Sequence, residues 1–367
     1  MVTGFSGLRI GLVGPLPPPA GGMANQTRQL AELLRRAGAT VTLVQTNAPY
    51  RPAWIVRVPV LRALFRLLPY LWALWQAAGR SSLFHVMANS GWSWHLFARP
   101  AIRIAAWRGV PVVVNYRGGE AATFLARAHA SVKNTLARGT NLLMVPSGYL
   151  QAVFAKHHIE ARIVPNIVDL DRFKPPLPGQ RVRGAHLVVA RNLEPIYDNA
   201  TAIQALAALR LTHPEARLTI AGTGPEEPTL RALVASLGLV SAVELVGRLD
   251  RDEVAAVYRE ADIALNPSTV DNMPNSVLEA LASGVPVVST DVGGVPYIVK
   301  HGVTALLVPP RDPAAMAAAV QRLLDDPELA DRLASAGLGE AQCYTWARVS
   351  AGLAALYSGA LTAPAGR

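Results

Sequence analysis

From Asn266 to Pro310 the chain reads NPSTVDNMPNSVLEALASGVPVVSTDVGGVPYIVKHGVTALLVPP, and this stretch holds the groups best placed for chemistry. An apolar strand, Ile263 to Leu265, runs into a loop, and Pro274 falls where a first helical position is expected. The amides of Asn275, Ser276 and Val277 then leave a helix N-terminus without intrahelical acceptors, which suits a diphosphate. Glu279 lies about one turn further on, where a carboxylate can accept two vicinal ribose hydroxyls. Asp271, eight residues before Glu279 in the loop, faces the same pocket. A carboxylate there can hold sugar hydroxyls and stabilise positive charge developing at an anomeric carbon. The plainer reading is an ordinary βα unit with a capping aspartate.

Elements to position these groups are legible on both sides. Leu8 to Gly14 is an apolar run, as in a strand buried on both faces of a parallel sheet. A turn with Gly21-Gly22, a helix over Gln26 to Ala37 ending at Gly38, and a strand over Thr40 to Val44 complete one βαβ unit. Further strands are expected at Val110–Val114, Leu142–Val145 and Ala161–Val164. Arg172 to Gly184 is rich in proline and glycine and reads as a linker. Beyond it, strands are expected at His186–Ala190, Arg217–Ala221, Val243–Val246, Ile263–Leu265 and Pro286–Ser289, with helices between them. This is an α/β chain of two doubly wound, Rossmann-like domains facing across a cleft, with expected bounds 1–174 and 175–344.

A length of 367 residues, half of them apolar and 16% charged, excludes a disordered chain or a coiled coil and suits two domains. The one cysteine, Cys343, gives no internal disulfide. No secretory leader or bilayer-spanning run is apparent, so a cytoplasmic location is expected. Up to Gln180 there are 20 Lys and Arg against 5 Asp and Glu; afterwards there are 15 against 20. No acidic residue stands between Glu32 and Glu120. So basic a first half suits phosphate, nucleic acid or an anionic membrane, and no nucleic-acid reading motif accompanies it. Trp54 to Ala78, WIVRVPVLRALFRLLPYLWALWQAA, mixes large apolar residues with Arg57, Arg62 and Arg66. It reads either as a helix on a membrane surface or as a buried helix with snorkelling arginines. Ser90 to Pro100 extends that surface or lines an acceptor site.

The Asp271-x7-Glu279 stretch with GVPVVSTDVGGVPYIV resembles the signature of family 4 glycosyltransferases, retaining enzymes of the GT-B fold. The resemblance covers nearly the whole chain. Gly21 and Gly22 match the family's first glycine-rich loop, where bare backbone can approach donor phosphates. Pro146-Ser147, Val164 to Asp169 and Phe173 resemble its entry into the interdomain linker. Gly222-Thr223-Gly224-Pro225 and Val246-Gly247-Arg248-Leu249 resemble loops bordering the nucleotide base. The tail from Tyr344 resembles a segment that crosses back, with a helix over 345–362 packing on the first domain. The resemblance implies transfer of a sugar from a nucleoside-diphosphate donor to a lipid-linked or polysaccharide acceptor, on the inner face of the cytoplasmic membrane. It leaves open an epimerase of the same fold and a non-catalytic binding subunit.

Two departures stand out. The family's Arg-x4-Lys clamp on the diphosphate keeps its first member in Arg191, but Ile196 replaces the lysine and Tyr197 follows, in an ARNLEPIY version that recurs in the family. Arg191 either binds phosphate or only pairs with Glu194 or Asp198. Where many relatives carry a histidine after the strand PVVVNYRGGE, this chain has Tyr116-Arg117; His85, His95 and His129 do not fall there. Arg117 and Glu120 are therefore candidates for holding the transferred sugar or the acceptor, unless Glu120 only pairs with Arg117 or Arg127. Asp169-Leu170-Asp171 lies in the linker, His157-His158 is expected in solvent, and no zinc spacing occurs. No metal or cofactor is expected beyond the donor substrate, and the first turn lacks the dinucleotide Gly-x-Gly-x-x-Gly.

Overall fold

A computed structural model describes residues 3–18, 21–49, 59–138, 141–177 and 184–362. The chain divides into two compact units, residues 1–166 with 347–367, and residues 167–346.

The first unit carries strands β1 (Arg9–Gly14), β2 (Thr40–Gln45), β3 (Leu83–Ala88), β4 (Val112–Tyr116), β5 (Asn141–Val145) and β6 (Arg162–Ile163). They form one parallel sheet in the order β2-β1-β3-β4-β5-β6. Its helices are α1 (Gly22–Arg36), α2 (Pro59–Ala78), α3 (Arg99–Trp107), α4 (Ala121–Leu136) and α5 (Gly148–Ala155). Every residue of β3 and β4 is buried, as strands covered by helices on both faces require. β3 was not expected as a strand. His85 interrupts its apolar run, yet His85 is fully buried because its ring finds partners on other elements.

The second unit carries β7 (His186–Val189), β8 (Arg217–Ala221), β9 (Val243–Gly247), β10 (Ile263–Asn266), β11 (Val287–Thr290) and β12 (Leu306–Val308). Its helices are α6 (Asn199–Leu209), α7 (Glu227–Ser236), α8 (Arg251–Glu260), α9 (Asn275–Ala282), α10 (Pro313–Asp325) and α11 (Pro327–Ala341). The parallel order is β12-β11-β10-β7-β8-β9. The chain thus leaves β7 toward β8 on one side and returns to β10 on the other. Such a reversal opens a crevice at the carboxyl ends of the two strands.

The division at Asn166 lies before the expected boundary at 174. Residues 167–173 belong to the second unit because the Val168 amide donates to the Tyr344 carbonyl at 2.9 Å, and Phe173 is buried edge-on against Tyr258. The last helix, α12 (Trp346–Thr362), belongs almost wholly to the first unit, where Tyr357 is buried against Phe5 and His85. Of the expected linker, residues 178–183 lie outside the described residues. Among the described residues, no helix is long and apolar enough to cross a membrane.

Candidate functional site

The crevice between β7 and β10 gathers the groups singled out in the second half of the sequence. β7 delivers Arg191 just past its end, and the loop after β10 delivers Ser268 and Asp271. The Arg191 guanidinium donates through Nη2 to Asp271 and, at 3.1 Å, to Ser268 Oγ; Nη1 reaches Ser276 Oγ at 3.4 Å. The Tyr197 ring lies 4.0 Å from the guanidinium carbon, a cation–π stack. Both charged side chains are only about one-tenth exposed. Burial raises the Asp271 pKa, against the opposing pull of Arg191, the Asn272 amide and Ser268. Asp271 does not cap α9: Pro274 occupies the cap position, one place before its expected role, and has no side chain that could accept a capping hydrogen bond. Nor does Arg191 pair with Glu194, which is exposed, or with Asp198, which accepts from Thr201.

Two groups in this crevice lack partners. The Nε of Arg191 is buried without a hydrogen bond among the described residues. The Glu279 carboxylate, half-buried on the second turn of α9, likewise makes no hydrogen bond or ion pair among them. Burial pushes the Glu279 pKa up to about 7, and Arg251, Arg191 and Arg172 pull it back only in part. A donor N–H, a carboxylate and a helix N-terminus at one crevice constitute a receptor for an anion that also carries hydroxyls.

Several supports were not apparent in sequence. The Thr290 hydroxyl donates to the Ser268 and Asn266 carbonyls, the Asn266 amide to Ser289 Oγ at 3.0 Å, and the Ser268 hydroxyl to Asn266 Oδ1 at 3.0 Å. This buried lattice stiffens the loop that carries Asp271. Gly294 donates to the Asp271 carbonyl at 2.8 Å, and Gly293 has φ +52°, where a Cβ would stand 2.1 Å from that same oxygen. Tyr258 donates to the Ser276 carbonyl at 2.9 Å and so fixes the first turn of α9. At Ile196, in place of a clamp lysine, the carbonyl accepts from both the amide and the hydroxyl of Thr269.

The other expected residues divide. Gly222 must be glycine for packing, since a Cβ would lie 2.0 Å from the Arg191 carbonyl. Arg248 is exposed and donates to Thr223 Oγ1 at 3.3 Å beside that turn. In the first unit, side chains at Gly21 and Gly22 would meet nothing within 4 Å, so internal packing does not demand glycine there. Arg117 is enclosed by neutral oxygens, donating to Gln26, Asn166 and, at 3.1 Å, Asn115 Oδ1; burial lowers its pKa to about 9. That bond turns the Asn115 amide nitrogen toward His85 Nε2 at 3.0 Å. His85 therefore accepts at Nε2 and donates from Nδ1 to Tyr357 Oη at 2.8 Å. Its pKa falls to about 3, through burial first and Arg117 second, so the ring is neutral. Glu120 is exposed and pairs with neither Arg117 nor Arg127 among the described residues.

The pattern of the family described as Glycosyl transferases group 1 matches residues 181–338, and that of Glycosyltransferase Family 4 matches residues 20–172. Over 274 residues the chain is 32% identical to a glycogen synthase of Mycobacterium tuberculosis, spanning 71% of this chain and 66% of that protein. It is 36% identical over 178 residues to a D-inositol 3-phosphate glycosyltransferase of Corynebacterium efficiens, spanning 47% and 42%. The matches thus span between two-fifths and just under two thirds of these relatives' lengths. The fold is similar to that of Anabaena HepE, solved in complex with UDP-glucose, with a TM-score of 0.73, 16% identity, and coverage of 96% of this chain and 99% of that one.

Proposed function

This chain belongs to the family 4, group 1 glycosyl transferases of the GT-B fold, and we propose that it moves a sugar, with retention of configuration, from a nucleoside-diphosphate donor to a lipid-linked or polysaccharide acceptor. The observation that carries this reading is the pair of groups without a hydrogen-bond partner among the described residues, Arg191 Nε and the Glu279 carboxylate, at the crevice where α9 starts. The diphosphate sits on the Asn275, Ser276 and Val277 amides and on Arg191. Glu279 accepts the ribose hydroxyls, and Asp271 meets the sugar. As the bond from the anomeric carbon to the diphosphate oxygen breaks, charge grows on the leaving oxygen, and Arg191 with the helix amides stabilises it without a metal. The departing diphosphate takes the proton of the attacking acceptor hydroxyl on the same face, and the new glycosidic bond forms there. The Gly21-Gly22 loop of the basic first unit approaches the donor phosphates, the same unit supplies the acceptor side through Arg117 and Glu120, and the protein works peripherally at the inner face of the cytoplasmic membrane.

The test is thermal stabilisation by UDP, GDP, ADP and CMP. UDP comes first because HepE was solved with UDP-glucose. A ligand at about 100 times its dissociation constant adds roughly 2.7 kcal/mol, a rise of a few degrees. One nucleoside diphosphate is expected to give this rise; silence from all of them would sink the donor site. Donor turnover without any acceptor would identify an epimerase instead.

Tyr197 gives a sharper prediction. Its ring holds the guanidinium flat where relatives use a second cation. Tyr197→Leu is expected to weaken UDP binding by roughly tenfold, the range of a partly desolvated cation–π contact, while leaving uridine binding unchanged. Tyr197→Phe should bind like the wild type. Equal losses for UDP and uridine in calorimetry would show that the ring only supports the loop.

A further inference from the structure

We infer that the outward face of α2, centred on Trp72 and Trp75, is the surface on which this protein docks to an anionic lipid bilayer. The statement deepens the reading of a membrane-linked acceptor and rests on it for its biological sense.

Helix α2 is apolar on two opposite sides. Tyr70, Leu74 and Ala77 are buried in the core of the first unit. At about 100° per residue, Phe65, Leu68, Trp72 and Trp75 fall within one arc on the far side. They are 43%, 56%, 64% and 42% exposed. Four large apolar side chains in a single stripe exceed the scattered exposure normal for a protein surface. The stripe continues onto the end of α3, where Trp107 is 75% exposed and the Arg108 guanidinium lies 4.7 Å over the Trp75 ring. Of the arginines singled out in the sequence, one is described with its side chain. Arg66 turns back to the Ala48 carbonyl at 3.4 Å, the Arg62 side chain lies outside the described residues, and so does Arg57. Among the described residues, Arg108 lies against the stripe, and Arg80, two residues past the end of α2, is exposed.

Charge chooses the occupant. No carboxylate occurs in the sequence between Glu32 and Glu120, so neither α2 nor α3 offers an acid to a basic partner. A second copy meeting this face symmetrically would bring Arg108 toward its own counterpart, with no acid to separate them. An anionic bilayer supplies both missing halves. Its headgroups meet Arg80 and Arg108, and its interface accepts tryptophan rings, which are apolar at one edge and donate an N–H at another.

The experiment uses the full chain with vesicles of phosphatidylcholine and phosphatidylglycerol, against phosphatidylcholine alone. Wild type is expected to co-sediment with the anionic vesicles, and brominated lipid should quench its tryptophan fluorescence. Trp72→Ser with Trp75→Ser should lose on the order of 10²-fold in partitioning, from two rings no longer leaving water. Arg108→Glu should lose roughly tenfold and only on anionic vesicles. Unchanged binding by the double variant overturns the proposal, as does a wild type that stays in the supernatant. A double variant that turns from dimer to monomer in light scattering while still binding vesicles also overturns it, and assigns the stripe to self-association. Nucleotide melting shifts run in parallel keep the readings apart. An equal shift in the double variant shows an intact fold, whereas no shift in wild type sinks the donor site and leaves the docking surface standing.

Discussion

Asp271→Asn is expected to lower the transfer rate by on the order of 10³-fold and, at the same time, to widen the melting-temperature gain that a nucleoside diphosphate gives. Both effects follow from the buried pair of Arg191 and Asp271, whose side chains are about one-tenth exposed. Asparagine keeps the shape of the loop, but it leaves the guanidinium without a counter-charge. Breaking one half of a buried ion pair costs about 3–5 kcal/mol, so the ligand-free variant should melt lower than wild type. A diphosphate restores the missing negative charge. In wild type the ligand must share Arg191 with Asp271; in the variant it takes the guanidinium alone and stabilises more. The sugar, by contrast, loses the carboxylate proposed to stabilise charge at its anomeric carbon, so turnover should fall while binding persists. Melting curves with and without UDP, beside initial rates, measure both. A variant with full activity would remove Asp271 from the chemistry, and one whose gain with UDP shrinks would place the diphosphate away from Arg191.

The residues of this site were readable one by one, but their partnerships were not. Pro274, Ser276 and Glu279 belong to one helix start, and a helix N-terminus is a local object that eight or nine residues can announce. Arg191 and Asp271 are 80 positions apart, and they meet because β7 and β10 are neighbours in the sheet. That adjacency is a property of the crossover order, which no single segment carries. Ser268 and Tyr197 owe their roles to the same adjacency, so a serine in a loop and a tyrosine beside a missing lysine carried no signal of their own.

The fold shows the same split. Strands such as Arg217–Ala221 are legible because four of their five residues are buried and three of those four, Leu218, Ile220 and Ala221, are apolar. β3 was not, because His85 looks polar until Tyr357 becomes its partner from 272 positions away, and β12 has only three residues. α2 illustrates a third kind of limit. Its composition suggested either a membrane surface or a buried helix, and helical geometry allows both at once, since Leu74 and Trp72 point to opposite sides.

Glu279→Gln is expected to weaken nucleotide binding by roughly 10²-fold, the loss of hydrogen bonds from two hydroxyls to one charged acceptor, and to abolish the pH dependence of that binding. In the free protein burial is the leading cause that lifts the Glu279 pKa from 4.5 to about 7. The fold therefore prefers the protonated carboxyl. Its stabilising contribution is complete below the unfolded value of 4.5, and it is lost as pH rises through about 7. Glutamine stays neutral, so the variant should escape that loss and melt above wild type at about pH 8. Binding runs the other way. In the proposed donor site ribose hydroxyls donate to the carboxylate, so wild-type affinity for UDP should rise between about pH 6 and about pH 8 and then level off, whereas the variant stays weak and flat. The opposite signs of the two curves separate a ligand-holding glutamate from a merely buried one. A glutamine variant with wild-type affinity for UDP would take Glu279 out of the donor site, even if its melting curve behaved as expected.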